Sequence, residues 1–235
     1  MLDWKARLSP ATAHNYRSTL SRFLRFIDAA AGTNLDKLPP APQPLARSVT
    51  ITDNDFQRVY FLAPPWMKAL MLLCRVLGLR HGEALRVTPR HLNKDTNCLN
   101  FHRKAEGTSN IPVSGDLLKL FQLAEQKDAD APIVMTIAER PHLAQSTIYF
   151  HWWKLLEKAG VNRHLRIHDL RRTAASKVYL HTRDLRVAQQ LLGHRRIETT
   201  LRYLGTVDTA ELRQAIIDTT PRDLDNLPLA TDVKQ

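Results

Sequence analysis

The sequence predicts a mainly α fold with one small antiparallel β-sheet, an α+β architecture. From residue 116 onward, apolar residues recur at helical spacing, which predicts helices over 116–126, 145–159, 168–180, 184–192, 198–204 and 208–217. In the middle of the chain Leu99 and Phe101 alternate with polar residues, as do Ile111 and Val113. With Gly107 between the two runs, this alternation predicts a β-hairpin over roughly 98–104 and 109–114.

The first helix is predicted by its start signal. Ser9 precedes Pro10, a pair typical of an N-cap followed by the first helical residue, and apolar residues then repeat at helical spacing to about Asp28. Residues 38–47 contain four prolines, so we interpret them as a linker. The predicted domains are therefore 1–46, a helix with a proline-rich linker, and 47–235, the main domain with a C-terminal helix.

Three more helices are predicted at the start of the main domain. Thr52-x-x-Asp55 resembles a capping box and begins a helix that runs through Leu62. Residues 66–77 are nearly all apolar, which predicts a buried helix with Gly78 as its C-cap. A short helix through Leu85 follows from Arg80.

The charge balance favours a polyanionic partner. The 235 residues include 34 Lys and Arg against 23 Asp and Glu, a net charge of +11 and a pI near 10.0. A basic globular protein usually binds nucleic acid, although a solvated basic surface gives the same composition. The 43% of hydrophobic residues is enough for a sizeable core.

The two cysteines and the apolar runs exclude other classes. Cys74 and Cys98 make neither a disulfide framework nor a zinc motif, and Cys74 lies in an apolar run that favours a buried free thiol. The sequence has no apolar signal segment and no run of membrane-spanning length. We therefore expect a soluble, cytoplasmic protein without a metal site or a membrane partner.

Several side chains suit the cleavage of a phosphodiester bond without a metal ion. That reaction needs fixed cations for the charge of the transition state, a nucleophile, and a proton donor for the leaving oxygen. A tyrosine can be the nucleophile when nearby cations favour its anionic form. The candidates, in chain order, are Arg80, Lys104, His168, Arg171, His194 and Tyr203.

This ordered set resembles the tyrosine recombinases, also called the phage integrase family. That family carries an Arg, a hairpin Lys, His-x-x-Arg, a His or Trp, and a Tyr in this order, and the similarity spans about residues 47–206. The segments HDLRRT and LLGHRRIETTLRYL carry most of it. The resemblance implies the fold of the catalytic domain and site-specific cleavage and rejoining of double-stranded DNA without metal, ATP or another cofactor. It also implies a protein that is monomeric without DNA and tetrameric on paired DNA sites.

The resemblance also implies which residues bind the phosphate. Arg80 and Arg171 would contact the scissile phosphate, and His194 would donate a hydrogen bond to a non-bridging oxygen. Glu83 matches an acidic position that supports the site from behind. Taken one at a time, arginines and histidines such as these are more often surface or packing residues.

The remaining roles concern bond breaking. Tyr203 would form a 3′-phosphotyrosyl bond, and His168 would take part in proton transfer around Tyr203 or the phosphate. Lys104 would protonate the leaving 5′ oxygen, with the adjacent Arg103 and His102 as alternatives for this position. An isolated tyrosine on a short helix is otherwise an ordinary packed side chain.

The sequence departs from the family pattern in its extra arginines. Arg172 stands where many relatives have a second histidine, and Arg195 and Arg196 follow His194 where relatives often have small polar residues. With Arg202, these residues are candidate DNA contacts, or they only add positive charge.

A further departure lies at the N-terminus. Only 46 residues precede the similar region, where full recombinases carry a helical core-binding domain, and residues 8–27 resemble its last helix. Both a fragment of a longer protein and a naturally truncated protein would have such a short N-terminal segment.

Two other functions remain open at this point. A DNA-binding accessory protein could have the same fold without catalysis, and a type IB-like topoisomerase would share the chemistry. The predicted C-terminal helix also allows two interpretations. Leu212, Ala215 and Ile216 share one face, which either closes the chain's own core or docks on a neighbouring protomer.

Overall fold

The computed structural model describes residues 9–32, 49–103, 107–113 and 115–204. The chain separates into two units, residues 1–47 and residues 48–235. In the first unit, helix α1 spans Pro10–Ala31. The predicted linker 38–47 lies outside the described residues.

Helix α1 begins where the sequence predicts. The Ser9 hydroxyl accepts a hydrogen bond from the backbone N–H of Thr12 at 3.2 Å, and Pro10 occupies the first helical position. The helix continues past the predicted end at Asp28 and stops at Gly32, whose φ of 64° suits a residue without Cβ.

The second unit is mainly helical with one small antiparallel sheet, as predicted. Its strands are β1 (Leu92–Asn93), β2 (Cys98–Arg103) and β3 (Gly107–Pro112), hydrogen-bonded in the order β1-β2-β3. Its described helices are α2 (Asp53–Leu62), α3 (Pro65–Arg75), α4 (His81–Ala84), α5 (Asp116–Lys127), α6 (Ile133–Ala138), α7 (Gln145–Lys158), α8 (His168–Thr182), α9 (Leu185–Leu192) and α10 (Ile197–Leu204). The predicted helix 208–217 lies outside the described residues.

Three local features differ from the sequence-based expectations. Helix α3 ends at Arg75 rather than near Leu77, and Gly78 takes the left-handed conformation three residues later, with φ of 62°. Helix α6 and strand β1 were not predicted. Both are too short to show a periodicity of their own, since α6 has six residues and β1 has two.

Helix α3 lies at the centre of the core. Met67, Leu70, Met71 and Leu73 are fully buried, and α3 packs against α6 and α8. This packing fixes the segment after α3, which leads through Gly78 to Arg80. Among the described residues, no helix combines the length and the apolar character needed to cross a membrane.

The hairpin places an arginine on the buried face of the sheet. Burial alternates along β2, so that Leu99, Phe101 and Arg103 point inward and the residues between them are exposed. The register pairs Leu99 with Ile111 and Arg103 with Gly107. Arg103 is therefore the last described residue of β2, and it is fully buried.

Candidate active site

Arg80 is held by a carboxylate one helical turn away. Arg80 is the N-cap of α4, and its backbone N–H donates to Glu83 Oε2 at 2.8 Å. Its Nη1 donates to Glu83 Oε1, also at 2.8 Å. The Glu83 side chain is 6% exposed and the Arg80 side chain 37% exposed, so Glu83 orients Arg80 from the protein side while part of the Arg80 side chain reaches solvent.

Arg171, on the first turn of α8, is fully buried and joins three segments of the chain. Its Nη1 donates to the Gly78 carbonyl at 2.5 Å and lies 3.5 Å from Glu83 Oε2. Its Nη2 donates to the Leu192 carbonyl at 2.7 Å. A buried cation requires such partners, and Glu83 therefore neutralises charge from two arginines.

His194 also contacts Arg171. Gly193, with φ of 67°, ends α9 and turns the chain so that the His194 ring is buried. His194 Nε2 lies 3.2 Å from Arg171 Nη2, and Nδ1 lies 3.0 Å from the hydroxyl of Thr200 on α10. Since a guanidinium only donates, Nε2 is the acceptor here and Nδ1 carries the proton that Thr200 accepts.

His168 begins α8 and is half-buried. Burial, together with the nearby charges of Arg171 and Arg172, lowers the pKa of His168 to about 4, and Asp169 opposes this only in part. His168 is therefore neutral at pH 7, with a ring nitrogen able to accept a proton.

The structure does not describe every predicted side chain. Lys104 lies outside the described residues, between Arg103 and Gly107, which pair at the end of the hairpin. Tyr203 belongs to the backbone of α10, but its side chain lies outside the described part of the chain.

The four additional arginines fall into different environments. Arg172 is buried, whereas Arg195 and Arg196 are exposed after the turn at Gly193. The side chain of Arg202 lies outside the described part of the chain.

Two residues contact the site in ways that the sequence reasoning did not predict, although Arg103 was an alternative there for the position of Lys104. Thr200 is fully buried against His194. Arg103 donates to the Leu191 carbonyl at 3.2 Å and to the Leu192 carbonyl, just before the turn that carries His194. The alternation that predicted β2 also places Arg103 on the face of Leu99 and Phe101, so its burial could have been predicted. No pattern in the sequence pointed to Thr200.

The described geometry brings together side chains of the kinds that bind phosphate. The guanidiniums of Arg80 and Arg171 meet at the Glu83 carboxylate, and His194 contacts Arg171, although the three residues come from separate segments of the chain. Guanidinium groups match the geometry of phosphate oxygens, and a partly buried site strengthens such hydrogen bonds. Arg80 and Arg171 are therefore of the residue type that binds a phosphate group and stabilises additional negative charge on it.

Comparison with known proteins identifies the family of the chain. The model of the phage integrase family matches residues 50–209. The tyrosine recombinase XerC of Rickettsia peacockii (strain Rustic) is 31% identical over 146 residues, covering 59% of this chain and 47% of that protein. The chain thus spans about half the length of this curated relative.

Two solved structures have the same fold. A lambda integrase dimer bound to a COC′ core site gives a TM-score of 0.69 at 20% identity, covering 85% of this chain and 77% of that one. A lambda integrase tetramer bound to a Holliday junction gives 0.65 at 21% identity, covering 80% and 59%. Because the family model matches more than half of the chain, and the fold agrees with these structures, the chain belongs to the phage integrase family.

Proposed function

We propose that the protein is a site-specific DNA recombinase that cleaves and rejoins strands through a 3′-phosphotyrosyl intermediate, without metal or ATP. The observation that carries this proposal is the buried cluster in which Glu83 orients Arg80 and Arg171, and Arg171 contacts His194. Family membership and the XerC relative support the same activity.

In the proposed reaction, the Tyr203 hydroxyl oxygen attacks the scissile phosphorus and the bond to the 5′ oxygen breaks. The tyrosine loses its proton to solvent, with His168, a weak base at a pKa of about 4, taking part in proton transfer around Tyr203 or the phosphate. Lys104 gives a proton to the departing 5′ oxygen. Arg80 and Arg171 stabilise the negative charge on the non-bridging oxygens. Attack by a 5′ hydroxyl from another strand reverses these steps and releases Tyr203.

His194 has to change its hydrogen bonding in this reaction. In the structure its Nε2 accepts from Arg171, whereas a contact with a phosphate oxygen requires Nε2 to donate. Protonation of the ring achieves this. Transfer of the ring proton to Nε2 does so as well, with the Thr200 hydroxyl then donating to Nδ1. Thr200 can take either role because a hydroxyl both donates and accepts.

The proposed substrate is double-stranded DNA, consistent with the net charge of +11. The exposed Arg195 and Arg196 are candidate phosphate contacts, and Arg172 and Arg202 remain candidates from the sequence. We further propose a monomer without DNA and a tetramer on paired sites, by analogy with the lambda integrase tetramer on a Holliday junction. We also propose that the protein is cytoplasmic and associated with DNA.

Covalent capture tests the proposal without a known target site. The protein is incubated with a pool of duplexes that carry a randomised core and a nick beside one phosphate, so that the cleaved fragment diffuses away and the adduct accumulates. We expect protein-linked DNA from the wild type and none from Tyr203→Phe, which lacks only the attacking oxygen. The captured sequence then provides a defined nicked substrate.

The outcomes separate the alternatives. DNA binding without any adduct would refute the proposal and favour an accessory protein. An adduct that never joins to a second duplex would favour the topoisomerase. An adduct of undiminished yield in Tyr203→Phe would show that Tyr203 is not the nucleophile.

A further inference from the structure

A buried arginine outside the predicted site contacts the end of α9. Arg103 is fully buried on the inner face of the hairpin. Its guanidinium donates to the carbonyl of Leu192 through Nη1 and to that of Leu191 through Nη2, the latter at 3.2 Å. These are the last two residues of α9, 88 and 89 positions away in the sequence.

These two contacts complete the hydrogen bonding of the helix end. The last four carbonyls of an α-helix have no partner within the helix. The backbone N–H groups of Gly193 and His194 donate to Gln190 and Gln189 at 3.0 and 3.1 Å, so the turn satisfies two of the four carbonyls. Arg103 satisfies the other two, and Arg171 shares the Leu192 carbonyl.

Gly193 fits against the same guanidinium. A Cβ added at Gly193 would lie 2.7 Å from Arg103 Nη1 and 3.1 Å from the Ser109 hydroxyl. A larger residue at this position would therefore displace the Arg103 guanidinium, and it would also be strained by the positive φ. The hairpin and the turn that carries His194 therefore pack closely against each other at this contact.

We propose that Arg103 is a positioning residue for the cleavage reaction, which joins the hairpin to the turn at His194. The inference rests on the proposed function. Arg103 acts in two directions, because its guanidinium fixes the turn before His194 and its backbone immediately precedes Lys104. One side chain thus fixes the turn before the phosphate-binding imidazole, and it belongs to the residue next in sequence to the proposed proton donor.

The first test does not depend on activity. In full-length protein without DNA, NMR compares the backbone amides of Gly193 and His194 and the imidazole nitrogens of His194 in Arg103→Met and Arg103→Lys. We expect shifted signals and faster amide exchange at the turn in both variants. The change should be smaller in the lysine variant, since its ammonium can still donate to a carbonyl, although it cannot bridge two carbonyls as the guanidinium does. Unchanged signals at the turn in both variants would overturn the inference.

Arg75→Met is the matched control. Arg75 is also a buried arginine of the second unit, but it pairs with Asp53 at the N-terminus of α2. We expect this variant to lose stability without altering the signals of Gly193 and His194. Equal changes at the turn in Arg75→Met would mean that general destabilisation explains them, and the inference would fail.

The second test measures adduct formation in a single turnover on the captured nicked DNA. We expect Arg103→Met to slow it by about 100-fold, the size of effect typical of a misplaced catalytic group, and Arg75→Met to leave it near the wild-type rate. A substrate with sulfur as the bridging 5′ atom needs no proton donor, so it should recover part of the loss that comes from Lys104.

The size of the sulfur rescue is the deciding result. Partial rescue of Arg103→Met supports both connections of Arg103, the one to the turn at His194 and the one to Lys104. Full rescue would refute the connection to His194, and no rescue would refute the connection to Lys104. If the wild type forms no adduct, the proposed function fails, whereas the NMR comparison still decides whether Arg103 fixes the turn.

Discussion

Replacing Glu83 with glutamine tests whether one buried carboxylate holds the two arginines of the site. Glu83 accepts two hydrogen bonds from Arg80 at 2.8 Å and lies 3.5 Å from Arg171 Nη1. Glutamine has nearly the same shape, but it has no charge, and its amide nitrogen is a donor facing guanidinium donors. The substitution therefore removes the counter-charge of Arg171 with little change in volume.

The magnitude follows from these contacts. Breaking a buried ion pair so that one charge stays behind costs about 3–5 kcal/mol, and a single hydrogen bond to a charged group contributes about 1.5–3 kcal/mol. Arg171 keeps its bonds to the Gly78 and Leu192 carbonyls, and the Arg80 side chain is partly exposed. We therefore expect the free energy of unfolding to fall by roughly 2–4 kcal/mol, at the lower side of the combined range.

Urea unfolding followed by circular dichroism measures this loss. The control is Glu125→Gln, the same substitution in the exposed pair of Glu125 with Lys94, where N and O are 2.7 Å apart. We expect that variant to lose less than about 1 kcal/mol. If Glu83→Gln is as stable as the control, Glu83 does not hold the arginines and the electrostatic account of the site is wrong.

Four further predictions concern the chemistry, the substrate and the pH dependence of stability. Lys104→Ala should slow cleavage of ordinary DNA, and a substrate with sulfur as the bridging 5′ atom should restore the cleavage rate. If sulfur restores the rate of Arg103→Ala but not that of Lys104→Ala, the proton donor is Arg103. The logarithm of the DNA association constant should fall with the logarithm of the salt concentration with a slope of about −5, for about six neutralised phosphates, and a slope near zero would contradict DNA as the main partner. Adduct formation should survive EDTA, and a loss of activity in EDTA that magnesium restores would contradict the mechanism. Because the folded state lowers the pKa of His168 from 6.5 to about 4, His168 should contribute its full stability above pH 6.5 and lose it as the pH falls toward 4. The free energy of unfolding in urea should therefore depend less on pH in His168→Gln than in the wild type, by roughly 2 kcal/mol between pH 4 and 6.5 after allowance for partial exposure. Equal pH profiles of the variant and the wild type would refute the lowered pKa of His168.

Local signals in the sequence predicted most of the secondary structure. The start of α1 at Ser9 and that of α2 at Thr52 follow from hydroxyl groups that bond backbone N–H groups three residues later. The hairpin was predicted from the alternation of apolar and polar residues, and the start of α8 at His168 from the helical spacing of apolar residues that follows it. These features depend on neighbours within a few residues, which a sequence displays directly.

Tertiary packing determined the elements and contacts that lack a local signal. Helix α6 is a short apolar segment that becomes helical between α3 and α5, with Ile133 and Val134 fully buried. The early end of α3 and the two-residue strand β1 likewise depend on surroundings that come from elsewhere in the chain.

For the site, the sequence by itself determined which residue types stand in which order, and the net charge that favours a DNA partner. The tertiary structure determined what those residues contact. Glu83 and Arg171 are 88 positions apart, and Arg103 lies 89 positions from the Leu192 carbonyl that it shares with Arg171. Contacts at such separations form because buried charges and helix-end carbonyls must find partners, and only the packed core decides which partners are within reach.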